Sequence, residues 1–136
     1  MKISKLLLQN WMVFKGRQEI KFPQDENSNV LVIFGENMRG KTCLLNSLRW
    51  CFYGEAQDRQ KKNIEPQKLI NIEAHEDGEK EVSVEIEFSA DGHEYYLKRE
   101  IKFDSDNKAS VKPFMREDDR VVKGGEVPNL IDYLIP

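Results

Sequence analysis

Gly35-Glu36-Asn37-Met38-Arg39-Gly40-Lys41-Thr42 is the stretch on which the reading of this chain turns. It follows the pattern of a glycine, four residues, a second glycine, a lysine and a hydroxyl residue. Its surroundings match too. Val30-Leu31-Val32-Ile33-Phe34 before it is a continuous branched and aromatic run, as in a strand covered on both faces. After it, Leu44, Leu45, Leu48, Cys51 and Phe52 fall on one face of a helix over residues 40 to 53, and Gly54 stands where a C-terminal cap is expected.

Each residue type in the motif has a physical reason. Gly35 leaves the strand in a tight turn, Gly40 lets backbone approach an anion closely, and amides from about Asn37 through Met38 and Arg39 to Cys43 form a concave set of donors, so that Gly35, Glu36 and the residues on to Cys43 make up the expected nucleotide-binding loop. The positive end of the helix adds to the same spot. Lys41 is a point charge for the outer phosphates, able to follow charge that grows during phosphoryl transfer. The Thr42 hydroxyl is a hard oxygen ligand for Mg2+. The expected ligands are therefore ATP and Mg2+, with Lys41 as the catalytic side chain.

Outward from the motif, residues 1 to 9 and 19 to 22 read as strands of a hairpin joined through Gly16. Residues 55 to 80 are polar, charge-dense and broken by Pro66. They read as an exposed connection holding a short helix near Leu69, Ile70 and Ile72. Val82, Val84, Ile86 and Phe88 alternate with polar residues, Asp91-Gly92 signals a turn, and residues 95 to 103 alternate again, so an antiparallel hairpin with one wet face is predicted. Further short strands are expected at 109 to 115 and 120 to 122, then a helix or extended segment from Val127 to Ile135. Together these predict an α/β fold: a P-loop lobe with a mixed sheet and an antiparallel β-subdomain beside it.

The other candidates are weaker. His75 and His93 read as surface residues, Trp11 and Phe14 as core, and Glu85 and Glu87 as solvent-facing because residues two apart on a strand share a face. The run Arg59 to Lys62 reads as a solvated basic loop more readily than as a phosphate contact. Cys43 and Cys51 are too far apart along a helix to bridge and lack companions for a metal site. At 136 residues and a net charge of -3 the chain has the size of one domain and no bulk attraction to nucleic acid. It contains no apolar run of the roughly 18 residues that a bilayer demands. A cytoplasmic location without membrane contact is the expectation.

Beyond the loop, the order of features resembles the N-terminal lobe of the Rad50/SMC-like ABC ATPases, which include RecF, RecN and the DndD-type ATPases. The residues that carry this are Leu8-Gln9-Asn10-Trp11-Met12-Val13-Phe14, then residues 30 to 42, then "LLNSLRWCFYG" from Leu44 to Gly54. Leu69-Ile70-Asn71, residues 82 to 88 and "YYLKRE" from Tyr95 to Glu100 extend the likeness over most of the chain. The family usually has glycine at the position of Met38 and a small residue at Arg39, so this loop is bulkier and more basic. Many members also place an arginine where this chain has Met12, a job the resemblance passes to Lys15 or Arg17.

The resemblance implies an ABC-ATPase head in which residues 1 to 136 are the N-terminal lobe. A coiled coil and a C-terminal lobe with the signature, the Walker B strand and the catalytic glutamate would be supplied by a longer gene product. It also implies a second head as partner, and action on DNA in repair, chromosome maintenance or antiphage defence. A nucleotide-gated clamp with little turnover is the alternative.

Overall fold

The computed structural model describes residues 1 to 27, 30 to 31 and 40 to 135. Strands β1 (Lys2–Gln9), β2 (Arg17–Lys21), β3 (Glu81–Ala90), β4 (His93–Phe103), β5 (Ala109–Glu117) and β6 (Arg120–Val122) form one sheet in the order β2-β1-β3-β4-β5-β6. Helix α1 (Lys41–Tyr53) packs on β3 and β4; α2 (Ile72–Glu76) lies in the connection, and α3 (Val127–Leu134) closes the described part.

The alternation in the sequence sets the two faces of the sheet. One cross-strand row runs Ile20, Leu6, Ile86, Leu97, Met115, Val122, and from Leu6 onward each of these is buried against the core. On the opposite face, Lys5 neighbours Lys21 and Glu87, Glu87 neighbours Tyr96, and Tyr96 neighbours Arg116, whose guanidinium lies 4.9 Å over the Tyr96 ring. Glu85 lies on this polar face and accepts a hydrogen bond from the Tyr96 hydroxyl, as its phase predicts. Asp91 (φ 50°) and Gly92 (φ 79°) make the tight turn between β3 and β4, where both central residues of this hairpin type need positive φ.

Two expectations are corrected. The two predicted hairpins are not separate units: β1 pairs with β2 on one side and β3 on the other, all pairings among the described residues being antiparallel as in the predicted hairpins. Leu6, Leu7 and Leu8 are all buried, which marks β1 as an interior strand covered on both faces. An isolated two-stranded hairpin cannot bury three successive residues. The predicted strand at residues 30 to 34 lies outside the described residues except for Val30 and Leu31, which are exposed and carry no strand pairing.

The second correction concerns α1. Leu44, Cys51 and Phe52 are buried and Leu48 partly so, but Leu45 is 68% exposed. The helix turns Asn46, Ser47 and Trp50 inward instead. The connection after Gly54 is also less exposed than its composition suggests, since Ala56, Leu69, Ile70, Asn71 and Ala74 are all buried. Val127 to Leu134 resolves as helix. Among the described residues no helix is long and apolar enough to cross a membrane.

Candidate nucleotide site at the start of helix α1

Gly40 is the N-cap of α1, with φ 113° and ψ -23°, a left-handed conformation that side chains resist. Its carbonyl accepts the first helical bond, from Leu44 N at 2.7 Å. The N-cap makes no side-chain bond to the helix, and the first turn contains no acidic residue. The opening amides of α1 therefore keep the partial positive charge that a capping carboxylate would neutralise. Lys41 and Thr42 are exposed and Cys43 is half-buried. Of the residues predicted to hold phosphate, Gly40, Lys41, Thr42 and Cys43 stand together at this helix end; Gly35, Glu36, Asn37, Met38 and Arg39 lie outside the described residues.

The wall beside this helix end is the turn from Asn10 to Gly16. A Cβ on Gly40 would meet Phe14 Cζ at 3.2 Å and Val13 Cγ2 at 3.8 Å, so φ favours glycine here and any side chain would also press on the Phe14 ring. Trp11, wholly buried, donates from Nε1 to the Cys43 carbonyl at 2.8 Å and packs on Trp50 with ring centroids 5.0 Å apart. Asn10 (φ 53°) and Met12 (φ 49°) adopt left-handed backbone. Two buried asparagines hold them there. Asn10 Oδ1 accepts from Gly16 N at 2.9 Å, while Asn71 Nδ2 donates to Met12 O at 2.9 Å and its Oδ1 caps α2 through Ala74 N at 3.0 Å. Backbone bonds from Met12 N to Leu69 O (2.7 Å) and Asn71 N to Asn10 O (2.8 Å) complete the staple.

A family model described as AAA domain matches residues 5 to 130. The chain belongs to the AAA domain family. No curated protein matches it. The family is one of AAA-type ATPases, and ATP binding is the activity that its phosphate loop serves.

Within this AAA domain the described residues fit a magnesium triphosphate. The uncapped amides suit phosphate oxygens, the exposed Lys41 ammonium would add a neutralising charge, and the exposed Thr42 hydroxyl is of the hard-donor type that would suit a cation. No group of three His, Cys, Asp or Glu side chains among the described residues forms an alternative metal site. Lys15, one of two candidates to replace the missing arginine of the opening turn, is engaged elsewhere: its Nζ lies 2.7 Å from Asp77 and 3.7 Å from Glu73, and the Asp77 hydrogen bond raises its pKa. Arg17 lies on β2 and is exposed.

Two further side chains, Asn46 and Arg99, hold α1 in place, and the sequence reading missed them. Asn46 is buried and bonds both ways to Gln57, donating to its carbonyl at 2.8 Å and accepting from its amide at 3.1 Å. Ser47 Oγ donates to Leu44 O at 2.6 Å within the helix. Arg99 occupies the core-facing row Gln18, Leu8, Val84, Arg99, Pro113 and reaches the last turn of α1, donating to Cys51 O at 3.1 Å and Phe52 O at 3.4 Å. Burial lowers its pKa. The available signal was phase: Arg99 falls where Leu97 and Ile101 predict an apolar residue.

Cys51 is fully buried, its Sγ donating to Val84 O at 3.3 Å, and burial pushes its pKa to about 12. Both cysteines are free thiols. His75 is exposed on α2. His93 is exposed as well, but its Nδ1 lies 2.7 Å from Asp118 Oδ2, and that hydrogen bond raises its pKa.

Proposed function

We propose that the chain is the ATP-binding N-terminal lobe of a Rad50/SMC-like ATPase head that acts on DNA, in repair, chromosome maintenance or DndD-type modification and antiphage defence. The observation that carries this reading is the left-handed Gly40 followed by exposed Lys41 and Thr42 at the mouth of an uncapped 13-residue helix. By the sequence motif, residues 35 to 39 just before it would supply the rest of the phosphate nest.

In this reading the amides from about Asn37 to Cys43 would hold the phosphates, and Lys41 would reach the outer ones and follow the charge that develops on the γ-phosphoryl oxygens. Thr42 orients the cation. When bound, Mg2+ neutralises phosphate charge as the terminal group departs. Hydrolysis is completed by a C-terminal lobe and by a second head that faces the loop, because positioning and charge stabilisation are nearly all of the catalysis in phosphoryl transfer.

Calorimetric titration of ATP with Mg2+ tests the site. Lys41→Ala is expected to weaken binding by at least about tenfold, the equivalent of about 1.4 kcal/mol, with an unchanged melting temperature because Lys41 is exposed. Equal affinity in the variant and the parent chain would remove the assignment.

A further inference from the structure

The connection after α1 contains a small arm. Ile64 N bonds Ala56 O at 2.8 Å, Gln57 bridges to Asn63, and Asp58 N bonds Lys62 O at 2.9 Å. Asp58 organises the tip: its carbonyl accepts from Lys61 N (3.0 Å) and its Oδ1 accepts from Gln60 N (2.8 Å) and Lys62 N (3.0 Å). The base is fixed to α1 by the paired Asn46–Gln57 bonds and by Ala56 in the core. Arg59, Lys61 and Lys62 project from it, all exposed.

The same turn occurs a second time, between β4 and β5. There Asp104 N bonds Lys108 O at 3.0 Å, Asn107 N bonds Asp104 O at 3.0 Å, and Asp104 Oδ1 accepts from Asp106 N and Lys108 N, both at 2.9 Å. The left-handed position is Asn107 (φ 61°) in the hairpin and Lys61 (φ 62°) in the arm. Asparagine suits that conformation and lysine does not. The turn geometry thus needs the aspartate but no cation at the positions of Arg59 and Lys61, where the hairpin has Ser105 and Asn107, whereas Lys62 matches Lys108; Lys61 stands against the local backbone preference.

Elsewhere among the described residues six lysines and arginines are paired, Lys5 and Lys21 with Glu19, Lys15 with Asp77, Lys98 and Lys102 with Glu100, and Arg120 with Glu117, while others such as Lys68, Lys108 and Lys112 are not. Among the described residues no ion pair involves the three arm cations. The tip also lacks any apolar residue, which a lipid surface or a protein hot spot would use.

We propose that the Asp58–Lys62 arm is a preorganised contact for the phosphodiester backbone of nucleic acid, made by Arg59, Lys61 and Lys62 and held to the nucleotide-binding helix by Asn46. The inference rests, for its partner class, on the reading of the domain as part of a DNA-acting ATPase. Backbone contacts of this kind carry no sequence information, so the binding is independent of base sequence and dependent on salt.

The test measures binding of a fluorescent DNA duplex to the full chain as salt is varied, beside ATP titration of the same proteins. Neutralising three phosphate contacts is expected to flatten the slope of log affinity against log salt by about 2.7 in the variant Arg59→Gln, Lys61→Asn, Lys62→Gln. Lys61→Asn alone is expected to flatten it by about 0.9 while raising the melting temperature, since it copies the Asn107 turn. ATP affinity stays unchanged in both. An unaltered slope in the triple variant, no duplex binding by the parent chain, or binding to phosphatidylserine vesicles but not to duplex overturns the proposal. Loss of ATP binding in the parent chain would instead overturn the nucleotide assignment.

Discussion

Replacing Arg99 by methionine removes a guanidinium from beneath the last turn of α1 while keeping an unbranched chain of similar reach. Two carbonyls, Cys51 O and Phe52 O, lose a charged donor, one at 3.1 Å and one at the weaker distance of 3.4 Å. A hydrogen bond from a charged group contributes about 1.5 to 3 kcal/mol at good geometry, and a cation at a partly buried helix C-terminus up to about 2 kcal/mol. These overlap, since the same contacts produce both. Against them stands the cost of keeping the guanidinium half-buried, the cause of its lowered pKa, and Arg99→Met relieves that cost. A net loss of about 2 kcal/mol follows, which for a domain of this size lowers the melting temperature by about 7 °C. Arg99→Lys keeps the charge but not the forked donor, and is expected to lose about half as much. Urea unfolding gives the number directly. A variant Arg99→Met within about 0.5 kcal/mol of the parent would show that α1 does not depend on this contact.

Gly40→Ala is expected to destabilise the fold by about 1 to 3 kcal/mol and to abolish ATP binding, through its φ of 113° and the 3.2 Å approach to Phe14; calorimetry and thermal melts separate it from Lys41→Ala, which affects binding alone. The His93–Asp118 pair contributes stability below the ordinary histidine value near 6.5, lost as pH rises through the raised folded value. It is lost at the acid end too, as pH falls from the ordinary aspartate value near 3.8 through Asp118's lowered folded value. The stability difference between the parent and His93→Gln is therefore largest in mildly acid solution and vanishes well above neutrality, as denaturant titrations across pH will show. Under native conditions a thiol reagent is expected to label Cys43 and spare Cys51, whose pKa is about 12, with both reacting once the chain is unfolded; mass spectrometry of the labelled peptides decides this.

What the sequence disclosed depended on whether the determinant was local. The β3–β4 hairpin was legible because period-two alternation and an Asp-Gly turn are properties of adjacent residues. The start and end of α1 were legible because Gly40 and Gly54 both require positive φ. The interior position of β1 was not read, although Leu6-Leu7-Leu8 is itself a signal of burial on both faces. The Asn10–Asn71 staple had no local signature, since its partners are about sixty residues apart and each asparagine passes for a loop residue. At the site, Gly40, Lys41 and Thr42 followed from the motif, whereas Asn46 and Arg99 act through backbone atoms that any sequence would provide.

The polar ties on α1 explain how its opening turn is aimed. Much of the inward surface of the helix is polar or small, with Asn46, Ser47 and Cys51 beside Leu44, Trp50 and Phe52. Apolar burial alone tolerates rotation of a helix about its axis, because it is not directional. Hydrogen bonds do not. Trp11 holds the first turn through Cys43 O, Asn46 the second through Gln57, and Arg99 the last through Cys51 O. Three directional bonds at separate heights leave one rotation and one translation for the helix. That fixes the direction in which the amides of the opening turn point and the positions from which Lys41 and Thr42 extend. In the proposed function such a site would stabilise a transferring phosphoryl group only with its donors already placed before the charge develops, which is a reason for this fold to spend buried polar groups on a helix that packing alone would have kept in the core.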